Sequence, residues 1–163
     1  MRMTRREATL AGIGVAVYGA WTPGRAALAT DPVKPPPLDP EMVQSVVGAS
    51  HRDFDRVVKL VTEQPSLVRA AWDWGGGDFE TALGAAAHTG RVSIAEFLLS
   101  KGAPMDLFAA AMLGKLDVVK GVLETMPEQL HTAGPHGIPL IAHTRFEQSS
   151  AVKAYLETLG ASM

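Results

Sequence analysis

Residues 81–103, TALGAAAHTGRVSIAEFLLSKGA, decide the fold. Leu83 and Ala87 are one helical turn apart and precede Gly90, and glycine readily adopts the left-handed conformation in which many helices end. After Gly90, apolar residues again cluster on one side of a helical wheel, and Gly102 offers a second stop. The stretch therefore predicts two short helices joined by a turn. Because so short a helical hairpin cannot bury its own apolar face, it needs neighbouring copies.

The chain contains such copies. A shift of 24 positions carries Leu83 to Leu107 and Gly90 to Gly114, and a further shift of 33 positions reaches a last copy near the C-terminus. A weaker first copy lies 62 positions before the third. The matching residues are Phe54, Val57, Leu60 and Val61 in the first copy, Leu107, Ala110, Ala111, Val119, Val122 and Leu123 in the third, and Leu140, Val152, Tyr155 and Leu156 in the last. We therefore predict four hairpins in series.

The second copy resembles the ankyrin repeat, whose unit runs T-P-L-H-x-A-A-x-x-G, then V-x-x-L-L and G-A. The residues that carry the resemblance are Thr81, Leu83, Ala85, Ala86, Ala87, Gly90, Leu98, Leu99, Gly102 and Ala103. It departs from the pattern at Ala82 and Gly84, and the last copy has Glu147 in place of the glycine. The resemblance covers residues 41–163 and implies an all-α solenoid of about four helix-turn-helix repeats. Since one step is 24 residues rather than the family's usual 33 or so, we expect the second-to-third connection, residues 102–106, to lack the β-turn finger.

The N-terminal segment, residues 1–29, has the features of a signal peptide. Arginines precede a mildly apolar run at residues 10–21, and residues 27–29, Ala-Leu-Ala, form a small-x-small cleavage pattern before Thr30. The run is too short for a membrane span, which needs about 20 residues. Arg5 and Arg6 resemble a twin-arginine signal, whereas Ala8 and Thr9 depart from it, and the general secretory route is the alternative. The expected location is the bacterial periplasm or outside the cell, without a membrane anchor after cleavage.

The proline-rich residues 30–40 are interpreted as a linker before the repeat domain, residues 41–163. Removing the leader takes away four arginines and Glu7, so the formal net charge changes from −2 to −5. A nucleic-acid partner is not expected, because a phosphate backbone calls for a basic surface. The chain has no cysteine, which excludes disulfides and thiolate metal sites.

The connection between the first and second hairpins has an unusual composition. It contains three glycines, aromatic residues and acids, and such loops on rigid scaffolds often bind partners. The alternative is that the tryptophans only cover the edge of the stack. The predicted partner-binding residues are Trp72, Asp73, Trp74, Asp78, Phe79 and Glu80, with His88, His131 and His136 as secondary candidates.

Other chemistry has weaker support. Asp73, Asp78 and Glu80 could form an acid–base pair, although a solvated acidic loop also explains them. The three glycines, residues 75–77, lack the Gly-Lys-Ser/Thr ending of a P-loop. The spacing of His131, His136 and His143 matches no regular zinc motif. No serine stands in a nucleophile-elbow context.

The sequence therefore predicts a monomeric, non-catalytic module that binds another protein, with no cofactor and no metal. A further hypothesis makes it an accessory to a co-exported protein. The rival hypothesis is a small-ligand-binding or metal-binding protein, or a hydrolase, that uses the loop from Trp72 to Glu80.

Overall fold

The computed structural model describes residues 34–163, so the predicted signal peptide and the first residues of the linker lie outside the described part. Helix α1 spans Pro40–Ser50; its N-cap Asp39 accepts a hydrogen bond from Glu41 N at 2.9 Å, and Pro40 occupies the first turn. Helix α2 spans Phe54–Glu63 and is capped by Asp53. The predicted linker is not wholly detached, since Leu38 packs against the core.

A short β-hairpin follows a 3₁₀ turn at Pro65–Arg69. Strand β1, Ala71–Asp73, pairs antiparallel with β2, Phe79–Thr81. The all-α prediction is therefore wrong in one respect, because the connection between the first two helical hairpins forms a two-stranded ribbon. The helical signal there is weak, and three glycines with positive φ close the turn.

The central helical hairpins are formed as the sequence predicts. Helix α3 spans Ala82–Thr89 and α4 spans Val92–Ser100, and Gly90 between them has a φ of 70°. Helix α5 spans Leu107–Met112 and α6 spans Leu116–Thr125. Residues 101–106 contain no strand, as expected for the shortened connection.

In the last hairpin the sequence predicts two helices, at residues 138–146 and 149–159, and the structure differs from this prediction. Its first half is a 3₁₀ turn, Leu140–Thr144, whereas its second half is helix α7, Ser150–Thr158. Local side-chain hydrogen bonds compete with a regular helix here, since Thr144 donates to Ile141 O and His143 Nδ1 to Pro139 O. Further 3₁₀ turns lie at Pro127–His131, Pro135–Gly137 and Glu147–Ser149.

The first helix of each hairpin contacts the first helix of the next. Helices α1, α3 and α5 and the turn Leu140–Thr144 pack in that order, while α2 contacts α4 and α6 contacts α7. Ala85, Ala86 and Ala87 are fully buried, because small side chains let neighbouring helices approach closely. This packing places the C-terminus of α1, the β-hairpin, α3 and the turn Pro135–Gly137 around one point. No helix within residues 34–163 has the length and apolarity needed to cross a membrane.

Candidate functional site

Successive side chains of the β-hairpin lie on opposite faces, as they do in any β-strand. Trp72 pairs with Glu80, and both face inward: Trp72 is half-buried against the core and Glu80 is fully buried. Asp73 and Phe79 form the next pair and point outward, and Phe79 is 65% exposed. Trp74 follows at the start of the turn and is 41% exposed. The same connection thus supplies an exposed aromatic surface and a buried carboxylate.

Two acidic residues hold the hairpin in place. The Asp73 carboxylate accepts hydrogen bonds from the N–H groups of Gly75, at 2.8 Å, and Gly77, at 3.2 Å. Asp78 reaches across the fold, where its Oδ1 accepts from His136 N at 2.8 Å and its Oδ2 lies 2.7 Å from His136 Nδ1. Asp73 therefore stabilises the turn, and Asp78 ties the turn to the segment after the third helical hairpin.

Glu80 lies at the centre of a group of histidines. Its Oε1 is 2.9 Å from His88 Nε2 and 3.4 Å from His136 Nε2, and its Oε2 is 3.4 Å from His51 Nε2. Trp74 donates from Nε1 to Oε2 at 2.8 Å. We call Glu80 with its three histidines the His3Glu cluster. One ligand atom from each of the four residues lies within 4.8 Å of the others.

The surrounding main chain fixes these histidines. His51 Nδ1 faces the carbonyl oxygens of Val47 and Gly48, at 3.1 and 3.2 Å. The carbonyl of His51 itself accepts from Arg91 Nε at 2.9 Å, and Arg145 donates to the carbonyl of His88.

His136 has an unusual backbone conformation. Its φ of 59° makes it the one non-glycine residue with positive φ within residues 34–163. Such a conformation is rarely adopted by residues other than glycine and often accompanies a functional constraint. In this conformation His136 makes both of its bonds to Asp78.

Both inner carboxylates favour the ionised form. Burial alone raises the pKa of Glu80, but nearby His88, the Trp74 N–H and the charge of His51 together outweigh it, so the pKa is lowered. The pKa of Asp78 is lowered mainly by the backbone N–H of His136, with a further contribution from the imidazole. The cluster thus places three imidazoles around a buried negative charge.

The structure assigns the predicted partner-binding residues to three environments. Glu80 is buried and cannot form the surface contact that the sequence suggested, and His88 is only 12% exposed at its side chain. His136 joins the same cluster, whereas His131 is exposed on another turn and lies outside it. The side chains that remain open to a partner at the hairpin are Asp73, Trp74 and Phe79.

Sequence reasoning missed His51. Successive residues of the cluster are 8 to 48 positions apart in the chain, so no local motif connects the four. The available signal was the repeat register: the 38-residue step from the first hairpin to the second puts His51 one position from the equivalent of His88. His143, considered with His131 and His136 as a zinc set, is buried elsewhere against Phe108.

The acid–base pair suggested for the loop takes a different form. Asp73 is occupied by the turn, while Asp78 and Glu80 contact opposite nitrogens of His136. Three imidazoles around a buried carboxylate can share protons or hold a cation.

Comparison with known proteins agrees with the helical hairpins. The ankyrin repeat model matches residues 78–108, from the end of the β-turn to the start of α5. No match was found among curated proteins or among solved structures. The fold is mostly helical, and residues 78–108 are similar to an ankyrin repeat.

Proposed function

We propose that this chain is a non-catalytic protein-interaction module, built as a solenoid of four ankyrin-type hairpins. The observation that carries the proposal is the ankyrin repeat at residues 78–108, because ankyrin repeats generally mediate contacts between proteins. The order of contacts among α1, α3, α5 and the turn Leu140–Thr144 is consistent with four stacked units. The partner is another protein. We favour a co-exported enzyme for which this chain would be an accessory subunit.

The binding surface that we propose is the hairpin tip, residues 73–79. Phe79 and Trp74 expose apolar area there, next to the exposed carboxylate of Asp73. Protein interfaces concentrate their binding energy in a few aromatic anchors surrounded by polar groups. The acids favour a partner with a basic or hydrogen-bonding patch beside an apolar pocket.

Phe79 is the best residue for a test, because its side chain is more exposed than that of Trp74 and makes no bond to the His3Glu cluster. We expect Phe79→Ala to weaken binding by about tenfold or more, which corresponds to roughly 1.4 kcal/mol. A photo-crosslinking phenylalanine analogue at position 79 identifies the partner in cells that express the full chain, and titration with the purified partner then measures the affinity of Phe79→Ala.

Met126→Ala is the matched control, since Met126 is also a large exposed apolar residue, 44% exposed, but lies at the end of α6. The proposal predicts one specific adduct from position 79 and full binding by the control. Equal affinities for Phe79→Ala and the unchanged chain would rule out the hairpin tip as the interface.

We also propose export through the twin-arginine route, supported by Arg5, Arg6 and the cleavage pattern before Thr30. The chain recovered from the periplasm is expected to begin at Thr30. Replacing both arginines with lysine should retain the precursor in the cytoplasm, as detected by cell fractionation and mass spectrometry of the N-terminus. Continued export of the double variant would indicate the general secretory route, and an unprocessed cytoplasmic protein would contradict export.

A further inference from the structure

The His3Glu cluster draws its members from separate parts of the chain. His51 is the C-cap of α1, Glu80 lies on β2, His88 is in the last turn of α3, and His136 is in the turn Pro135–Gly137. Their rings are close: the His88 centroid is 5.0 Å from that of His51 and 5.3 Å from that of His136. All three present Nε2 to the same carboxylate.

Hydrogen bonds at the far side of two rings determine which nitrogen carries the proton. Carbonyl oxygens only accept hydrogen bonds, so His51 Nδ1, which faces Val47 O and Gly48 O, carries the hydrogen. His136 Nδ1 likewise donates to the Asp78 carboxylate. In the neutral rings, Nε2 then presents a lone pair to Glu80. Metal-binding histidines are oriented in this way, with the other ring nitrogen donating to a carbonyl or a carboxylate.

The Glu80 carboxylate has a hydrogen bond at only one of its two oxygens. Oε2 accepts from Trp74, but Oε1 and His88 Nε2 are both buried and without a hydrogen bond. Although these two atoms are 2.9 Å apart, their alignment does not satisfy hydrogen-bond geometry. A fully buried carboxylate that faces lone pairs is costly unless a positive charge lies among them.

We infer that the His3Glu cluster binds one divalent transition-metal ion, with zinc as the best fit. Three imidazole nitrogens and one carboxylate oxygen form a four-ligand set that zinc accepts, with Zn–N distances of about 2.0–2.1 Å and Zn–O distances of about 2.0–2.2 Å. Ligand atoms of a tetrahedral site are then about 3.3 Å apart. The present spacings, from 2.9 Å to at most 4.8 Å, bracket this value.

The ligand chemistry disfavours the hard cations. Calcium and magnesium prefer six or more oxygen ligands or an octahedral shell rich in water, and this cluster offers one buried carboxylate among nitrogens. Imidazole suits zinc, copper, nickel and iron. The bound ion would join the first helical hairpin, the β-hairpin with α3, and the turn at residues 135–137, and would neutralise Glu80.

Metal binding can be measured directly on the full chain, expressed without a polyhistidine tag and freed of metal with a chelator. Calorimetric titration with Zn²⁺ is expected to give one ion per chain, and thermal unfolding is expected to shift upward when zinc is added. Cobalt(II) provides a second readout, since visible absorption bands report four-coordinate nitrogen and oxygen ligation.

Variants distinguish zinc binding at the His3Glu cluster from binding by histidines elsewhere in the chain. We expect His51→Gln and His136→Gln each to weaken zinc binding more than tenfold, and Asp78→Asn, which replaces the carboxylate that accepts from both N and Nδ1 of His136, to weaken it about 10–100-fold. His131→Gln is the matched control, because His131 is exposed outside the cluster, and it should bind like the unchanged chain. Circular dichroism checks that each variant is folded.

Two results would overturn the inference. One is that the unchanged chain binds no more zinc than the His51→Gln, His136→Gln double variant. Protons rather than a metal would then neutralise the Glu80 carboxylate. The other is a loss of affinity in His131→Gln as large as in the cluster variants. Both are read without any protein partner, so they are independent of the interaction proposed for the hairpin tip.

Discussion

At the scale of single residues, the turn glycines are constrained by more than backbone conformation. Gly90 and Gly114 occupy equivalent positions in successive hairpins, and their φ values are 70° and 68°. The sequence repeat identified both as turns. It did not reveal that the C-terminal segment lies directly against them: a Cβ at Gly90 would overlap the Phe146 ring, and one at Gly114 would overlap the backbone carbonyl of Gln148.

Gly114→Ala should therefore be destabilising for two separate reasons. A positive φ costs a non-glycine residue about 1–2 kcal/mol, and the added methyl group must displace the Gln148 carbonyl, for which overpacking costs about 1–3 kcal/mol. The summed loss in the free energy of unfolding is about 2–5 kcal/mol. Urea denaturation monitored by circular dichroism measures it.

Gly102→Ala is the control for that measurement. Gly102 also has a positive φ, 93°, but no atom lies within 4 Å of its hypothetical Cβ. This variant should lose only the conformational part, about 1–2 kcal/mol. Equal losses at the two positions would mean that the contact between Gly114 and the C-terminal segment contributes nothing.

At the scale of elements, helices were predictable where caps and periodicity agreed. Asp39, Asp53, Thr81 and Asp106 all accept the capping hydrogen bonds that residues of their type favour at helix N-termini. The sequence predicts α1 at residues 41–49, from Asp39 as its N-cap and Pro40 in its first turn, and the helix spans Pro40–Ser50. Local chemistry is sufficient here, because a cap and an apolar stripe act within one or two turns of the chain.

Elements defined by distant contacts were not predictable from local pattern. The β-hairpin depends on pairing between Trp72 and Glu80 across a glycine turn, and the residues 140–144 form a 3₁₀ turn instead of a helix. Nor does the local sequence indicate that the turn Pro135–Gly137 meets Asp78, which lies 58 positions away. Glu80, His88 and His136 were therefore recognised as candidates, whereas their convergence with His51 in the interior was not.

At the scale of the whole molecule, α5 links two apolar clusters. Ala109 and Met112 pack with the core of the first two helical hairpins, whereas Ala110 and Ala111 pack with α6, α7 and the turn Leu140–Thr144. A helix of six residues, Leu107–Met112, thus carries much of the contact between the two halves. The repeat pattern identified Ala110 and Ala111, but the division of the helix between two clusters follows only from the packing of all the hairpins.

The stability of the whole molecule should also depend on His143, which is 1% exposed and packs 4.9 Å from the Phe108 ring centroid. The pKa of His143 is lowered from 6.5 to about 4, mainly by burial and in smaller part by the charges of His88 and Arg145. Its Nδ1 donates to Pro139 O, while Nε2 is buried without a partner. Protonation would therefore place an unpaired charge in the interior.

The direction of the resulting pH dependence follows from the two pKa values. Above about pH 6.5, the histidine is neutral in both states and contributes no pH dependence. Between about pH 6.5 and pH 4, the unfolded chain takes up a proton that the folded chain does not, so the free energy of unfolding falls as the pH falls. The full loss is on the order of 3 kcal/mol, reached near pH 4.

His143→Asn tests this dependence, because an asparagine amide can still donate to Pro139 O but does not titrate. The free energy of unfolding of the metal-free variant should decline less steeply between pH 6.5 and pH 4 than that of the unchanged chain, as measured by urea denaturation at several pH values. The histidines of the His3Glu cluster are present in both proteins, so the difference between the two curves isolates His143. Parallel curves would mean that the buried imidazole accepts its proton at no cost, and that the interior around Phe108 opens to water before the chain unfolds.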